Sequence, residues 1–156
     1  MKINTDYMGI ALVEAQKAMV HGDVPIGCVI VSNDKIIAKQ HNRVEVDKDS
    51  TAHAELLAIR EAQQKVSYKH LLNCDMYITL EPCSMCAGAI VLSRLECIYI
   101  ATRDPKSGAC GSVFNITDSP LLNHKCKTHF GLKEQEASDL IKSFFKNIRE
   151  RNGRSS

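Results

Sequence analysis

Two spacings of hydrophobic residues run along this chain. Between residues 6 and 21, Met8, Leu12, Ala15 and Met19 recur every three or four positions, the period of one helical face. Gly22 is a suitable stop. Residues 27–31 and 35–39 are short β-rich runs joined at Ser32-Asn33-Asp34, a hairpin signal. A polar loop over 41–50 leads to a helix predicted for 52–65, with Thr51 as its N-cap. Residues 76–80 read as a strand and 84–94 as a helix, with Met85, Ala89 and Leu92 among its apolar positions; 97–101 read as a further strand. Residues 102–112 form a long loop carrying Gly108 and Gly111, Val113-Phe114-Asn115 is a short apolar element, and 120–131 is irregular. A helix over 133–151 closes the chain, with Ala137, Leu140, Ile141, Phe144 and Ile148 on one stripe. Strands alternating with helices predict an α/β layered domain with a mixed sheet. With no repeat or linker, residues 1–156 read as a single domain.

Composition narrows this picture only slightly. A chain of 156 residues, 44% hydrophobic and 24% charged, is ordinary for a globular protein. No apolar run approaches the ~20 residues of a membrane span. The start, Met1-Lys2-Ile3-Asn4-Thr5-Asp6, lacks the hydrophobic core of a secretory signal. Seven cysteines is an odd number, which argues against a disulfide framework and for a reducing cytoplasm. The net charge of +2 excludes little. Its distribution says more: Lys142, Lys146, Arg149, Arg151 and Arg154 face a single acid, Glu150, over the last turns. Such an end suits phosphate, or it is a solvated terminus.

The candidate chemistry lies in Thr51-Ala52-His53-Ala54-Glu55 and Glu81-Pro82-Cys83-Ser84-Met85-Cys86, which read together as H-x-E…P-C-x-x-C. One imidazole and two thiolates can hold zinc and leave its fourth position open. Cys83 and Cys86 stand at i and i+3, one helical face, so both sulfurs can reach one ion. Both would sit at a helix N-terminus, where anions are favoured, and Pro82 is tolerable there. On a regular helix Glu55 lies about 200° from His53, which argues against Glu55 as a further ligand. As a carboxylate within reach of an activated water it would instead shuttle protons. The plainer alternative is a structural zinc site closed by Cys28, Cys74, Cys97, Cys110 or Cys126. The neighbouring His-Ala-Glu favours the catalytic reading.

Further stretches then carry a resemblance. They are Val24-Pro25-Ile26-Gly27, His41-Asn42, Thr79-Leu80 through Ile90, Ser93-Arg94, Asp104-Pro105-Lys106-Ser107-Gly108, Gly111-Ser112, Asn123-His124, Phe144-Phe145 and Arg149. With the zinc motifs they make the chain similar to the cytidine-deaminase-like superfamily. Within it, the chain resembles the bacterial tRNA adenosine deaminases, which convert the wobble adenosine of an anticodon to inosine. The resemblance implies a three-layer α/β/α fold with a mixed five-stranded sheet, a homodimer, and one zinc per subunit. It implies His53, Cys83 and Cys86 as ligands and Glu55 as the proton shuttle. Asn42 and the Ala54 N–H would hold a flipped-out base. Asp104 and Lys106 would flank the extruded nucleotide, and Phe145 and Arg149 would contact the anticodon loop, in the manner of proteins that read splayed RNA bases.

Each RNA role has a plainer counterpart: a turn bond for Asn42 or Asp104, core packing for Phe144, and solvation for Arg149. Three positions depart from the family's habit. Ser50 stands where Pro is frequent, and Cys28 and Cys110 stand where small residues are usual. Cys28 reads as a small core hydrophobe, and Cys110 as a thiol open to oxidation or stray metal. Two other functions share many of these residues: a deaminase of free bases or nucleosides, and a non-catalytic zinc protein that binds RNA or a partner. The basic final helix favours RNA over a free base, and Glu55 favours catalysis over binding alone.

Overall fold

The computed structural model describes residues 5–154. Met1 to Asn4, which entered the signal-peptide expectation, and the Arg154 side chain of the basic end lie outside the described residues. Helix α1 (Tyr7–Val20) starts where Asp6 accepts the Gly9 N–H at 2.8 Å, a side-chain N-cap. Strands β1 (Gly27–Ser32) and β2 (Lys35–His41) form the expected hairpin. Its turn residues Asn33 and Asp34 both take positive φ, 51° and 61°, the twist that matches paired strands. Then come α2 (Val44–Asp47), α3 (Ala54–Val66), β3 (Cys74–Leu80), α4 (Ser84–Leu92) and β4 (Cys97–Thr102). Strand β5 (Lys127–Phe130) and α5 (Glu134–Arg154) complete the chain.

The sheet order is β2-β1-β3-β4-β5, antiparallel on one side of β3 and parallel on the other. Helices cover both faces. Cys28, Ile30, Met76, Ile78, Ile98 and Ile100 pack against Ala58, Ala62, Ala87 and Ile90 of α3 and α4. Val29, Val31 and Ala101 pack against Met8, Ala11 and Ala137 of α1 and α5 on the other face. Strand β1 is therefore buried on both sides, which is why it reads as a continuous apolar run rather than an alternating one. Burying each such aliphatic side chain contributes roughly 1.5–3 kcal/mol. Gly27 is required where β1 crosses α1, because a Cβ there would run into the Ala11 carbonyl.

Four expectations change. The loop over 41–50 contains the single turn α2, capped at both Glu45 N–H (2.7 Å) and Val46 N–H (3.4 Å) by the buried Asp23 carboxylate. The irregular stretch over 120–131 contains β5; its polar Lys-Thr-His-Phe has only two half-buried positions, too few to give a period. Helix α3 starts two residues late, because His53 has extended backbone (φ −79°, ψ 147°) and is itself the N-cap. On α4 the buried positions are Cys86, Ala87, Ile90 and Val91, while Met85 and Leu92 face outward. That helix is apolar nearly all round, so periodicity could not choose its inner face. The stripe on α5 runs as read, with Ala137 and Phe144 buried and Phe145 exposed beside them.

Candidate active site

The parallel strands β3 and β4 both empty into loops at the same end of the sheet. Strand β3 delivers Glu81-Pro82-Cys83 and β4 delivers Arg103-Asp104, and the Glu81 N–H bonds the Thr102 carbonyl at 2.9 Å. Cys83 is the N-cap of α4, and Cys86 lies one turn on, buried. From the start of α3, His53 reaches across: its Nδ1 lies 3.6 Å from Cys83 Sγ and 3.5 Å from Cys86 Sγ. The three donor atoms lie within 4.8 Å of one another. A tetrahedral zinc with Zn–S near 2.3 Å and Zn–N near 2.0–2.1 Å requires N···S separations of about 3.6 Å. The donor set and its spacing therefore fit zinc.

The electrostatics agree. The Cys86 thiol, and after it the His53 ring, hold the Cys83 thiol down to about 4. The bond to Cys83 raises His53, and the same Cys83 partner pushes Cys86 far up. One negative charge is shared over two sulfurs beside the His53 ring, an arrangement in which a divalent cation can displace the remaining protons.

Glu55 is 4% exposed, and burial pushes its carboxyl up to about 7. Its Oε1 is buried without a hydrogen-bond partner. A buried acceptor left unpaired is costly, and beside three donors able to hold a metal ion it marks a candidate functional group. Because His53 is not helical, the 200° separation of a regular helix does not apply to this pair.

Asn42 is buried, and its Oδ1 accepts the Ala54 N–H at 2.9 Å. The two residues expected to hold a base thus hold each other, which ties the end of β2 to the start of α3. Asp104 makes the turn considered for it, accepting from Lys106 N–H at 3.0 Å and Ser107 N–H at 3.2 Å, while Lys106 is exposed. Phe145 and Arg149 are exposed on α5, on the sheet face opposite α3 and α4. Cys28 is a core residue, as read. Cys110 is buried and its thiol is pushed up to about 12 by burial, which opposes the expectation of an oxidisable thiol.

Residues 1–102 match the family described as the zinc-binding region of cytidine and deoxycytidylate deaminases. The chain belongs to that deaminase family. Among its relatives, the tRNA-specific adenosine deaminase of Aquifex aeolicus is 49% identical over 92% of this chain and 94% of its own. That of Bacillus subtilis is 42% identical over 93% and 90%. A solved structure from work on A-to-I editing by tRNA:A34 deaminases at the wobble position superposes with a TM-score of 0.83 at 40% identity. That match covers 86% of this deaminase chain and 97% of the other. The mixed five-stranded sheet between helices is the fold of this family. No helix among the described residues is long and apolar enough to cross a membrane.

Sequence reasoning gave no role to two buried carboxylates, Glu81 beside the site and Asp23 under α2. For Glu81 the available signal was an acid directly before a metal-ligand motif. Asp23 lies in the irregular segment between α1 and β1, and nothing in its neighbours along the chain marks it.

Proposed function

We propose that this protein is a zinc-dependent hydrolase that converts the wobble adenosine of a tRNA anticodon loop to inosine, releasing ammonia. The observation that carries the reading is the unpaired, buried Glu55 Oε1 beside three converging zinc donors. The relatives' names supply the substrate class. His53, Cys83 and Cys86 would hold the ion. When bound, zinc supplies Lewis acidity that makes a water deprotonable near neutral pH.

The chain's own residues do the rest. Glu55 takes the proton of the attacking water at Oε1. It then delivers protons to the purine ring nitrogen and to the departing amine, so water and adenosine become inosine and ammonia. Burial suits this shuttle, since it raises the carboxyl above its ordinary range and so makes it a stronger base toward water. With Asn42 Oδ1 committed to Ala54, the Asn42 NH2 is the end that donates to a ring acceptor. Asp104 and Lys106 flank the nucleotide from the loop after β4, and Phe145 and Arg149 meet the anticodon loop by stacking and charge.

A homodimer and a cytoplasmic location belong to the same reading. Supporting the dimer, Met85 and Leu92 expose apolar surface on α4, at 36% and 78%. Beside Leu92 a cavity of ≈ 300 Å³ is lined by Leu56, Ile59 and Ala89 together with the polar Arg60, Gln63, Lys69, His70 and Ser93. Incubation with an anticodon stem-loop bearing adenosine at the wobble position tests the function, with inosine read by mass spectrometry. Free guanine, cytosine, cytidine and adenosine run in parallel. Inosine in the stem-loop alone is expected; turnover of a free base or nucleoside alone would overturn the substrate.

A further inference from the structure

Glu81 is 2% exposed and sits two residues before Cys83. Its carboxylate accepts from four donors, all on one loop. Oε1 takes the Asp104 N–H at 3.1 Å and the Ser112 hydroxyl at 2.5 Å. Oε2 takes the Cys110 N–H at 3.0 Å and the Ser112 N–H at 3.0 Å. The adjacent Ala109 N–H bonds the Pro82 carbonyl at 2.8 Å. A Cβ on Gly108 would strike the Glu81 carboxylate and the Asp104 carbonyl, so the loop closes over Glu81 only with glycine there. Burial alone would raise the Glu81 carboxyl, but the Ser112 hydroxyl and the three amides outweigh it and hold it below the usual carboxylate range. It is therefore an anion at neutral pH.

A carboxylate has about four lone-pair sites, and here four donors occupy them. Glu81 has none left for substrate or for proton transfer. What it does hold is the segment between Asp104 and Ser112, which carries the turn with Lys106, directly against the turn that carries Cys83. We infer that Glu81 is a positioning residue, whose buried carboxylate locks the loop over residues 104–112 to the metal-bearing turn and so sets how tightly the RNA is engaged. This rests on the RNA-directed function proposed above.

The test uses Glu81→Gln and Ser112→Ala in the zinc-loaded full chain. Gln offers one acceptor oxygen; with that oxygen on the Cys110 and Ser112 amides, its NH2 donates to the Ser112 hydroxyl and faces the Asp104 N–H, so one of the four bonds is lost. At roughly tenfold for each bond to a charged group, KM for the anticodon stem-loop should rise about tenfold or more in E81Q, with kcat little changed. Zinc should stay at parity with wild type. Hydrogen exchange should quicken at the Asp104, Cys110 and Ser112 amides and not in the core of α3. S112A, which loses only a hydroxyl donor, should show a smaller effect of the same sense, and it carries the test if E81Q does not fold. A merely structural role would lower kcat through inactive protein and quicken exchange everywhere; that result overturns the assignment. So does unchanged exchange at the three amides, whatever the substrate proves to be. Failure of the wild type to edit the stem-loop would instead overturn the proposed function, so the two ideas fail separately.

Discussion

Glu55→Gln keeps the shape of the side chain and removes its titration, which makes its effect on stability calculable. Burial moves this carboxyl from an ordinary 4.5 up to about 7. At about 1.4 kcal/mol per pH unit, that displacement is worth roughly 3 kcal/mol. The sign comes from proton counts. Between pH 4.5 and about 7 the folded chain binds a proton that the unfolded chain has released, so wild-type stability falls as pH rises through that window. Glutamine does not titrate. In chelated protein, E55Q and wild type should therefore differ little in the trend below about pH 4.5, and E55Q should gain on wild type by roughly 3 kcal/mol by about pH 8. Urea unfolding across this range, with chelator present, measures the gap. Loading with zinc brings a dication close to the carboxylate and should shrink it. In the loaded enzyme the same substitution should retain the ion and cost about 10²–10⁴ in turnover, the usual share of a general acid–base group. A gap that does not grow with pH would refute the burial of Glu55 as the cause, and turnover within tenfold of wild type would refute the shuttle.

Single contacts give further expectations. Ile90 is fully buried on α4, so Ile90→Ala should cost about 2–5 kcal/mol in urea unfolding; a cost below about 1 would mean that helix is loosely packed. Burial raises the Glu14 carboxyl, but Lys17 at 2.6 Å and His41 at 3.1 Å together bring it below its ordinary value. Its contribution is present above pH 4.5 and lost as pH falls through the lowered value, so Glu14→Gln should flatten the acid limb of the stability profile, as acid titration of the unfolding midpoint would show. Zinc removal should lower the melting temperature, because the ion ties α3 to α4; an unchanged melt after verified removal would show a fold independent of the metal. Replacing Lys146 and Arg149 with Ala should reduce the salt dependence of stem-loop binding by about 0.7 in logarithmic slope for each lost phosphate contact, measured by filter binding.

What the sequence determined by itself is whatever repeats or stands close along the chain. The amphipathic stripe of α5 and the Asn33-Asp34 hairpin arise from local periodicity and turn sterics. The spacing of Cys83 and Cys86 reflects the pitch of one helical turn. The donor set of His53, Cys83 and Cys86 was legible because an imidazole and two thiols in this spacing form a recognisable zinc-site pattern. Tertiary structure decided the contacts that join distant segments. Nothing local brings His53 to within 3.5 Å of Cys86, 33 residues away; the packing of α3 and α4 on one face of the sheet does so. The same holds for Glu81, whose partners lie 23 to 31 residues downstream, and for Asn42 and Ala54. A hydrogen bond between loops leaves no period in the sequence, since each partner is chosen by position in space and its residue type is compatible with many other places. Strand β5 was hidden for a related reason: an edge strand half open to solvent needs few apolar side chains, and its identity comes from the backbone of β4 beside it.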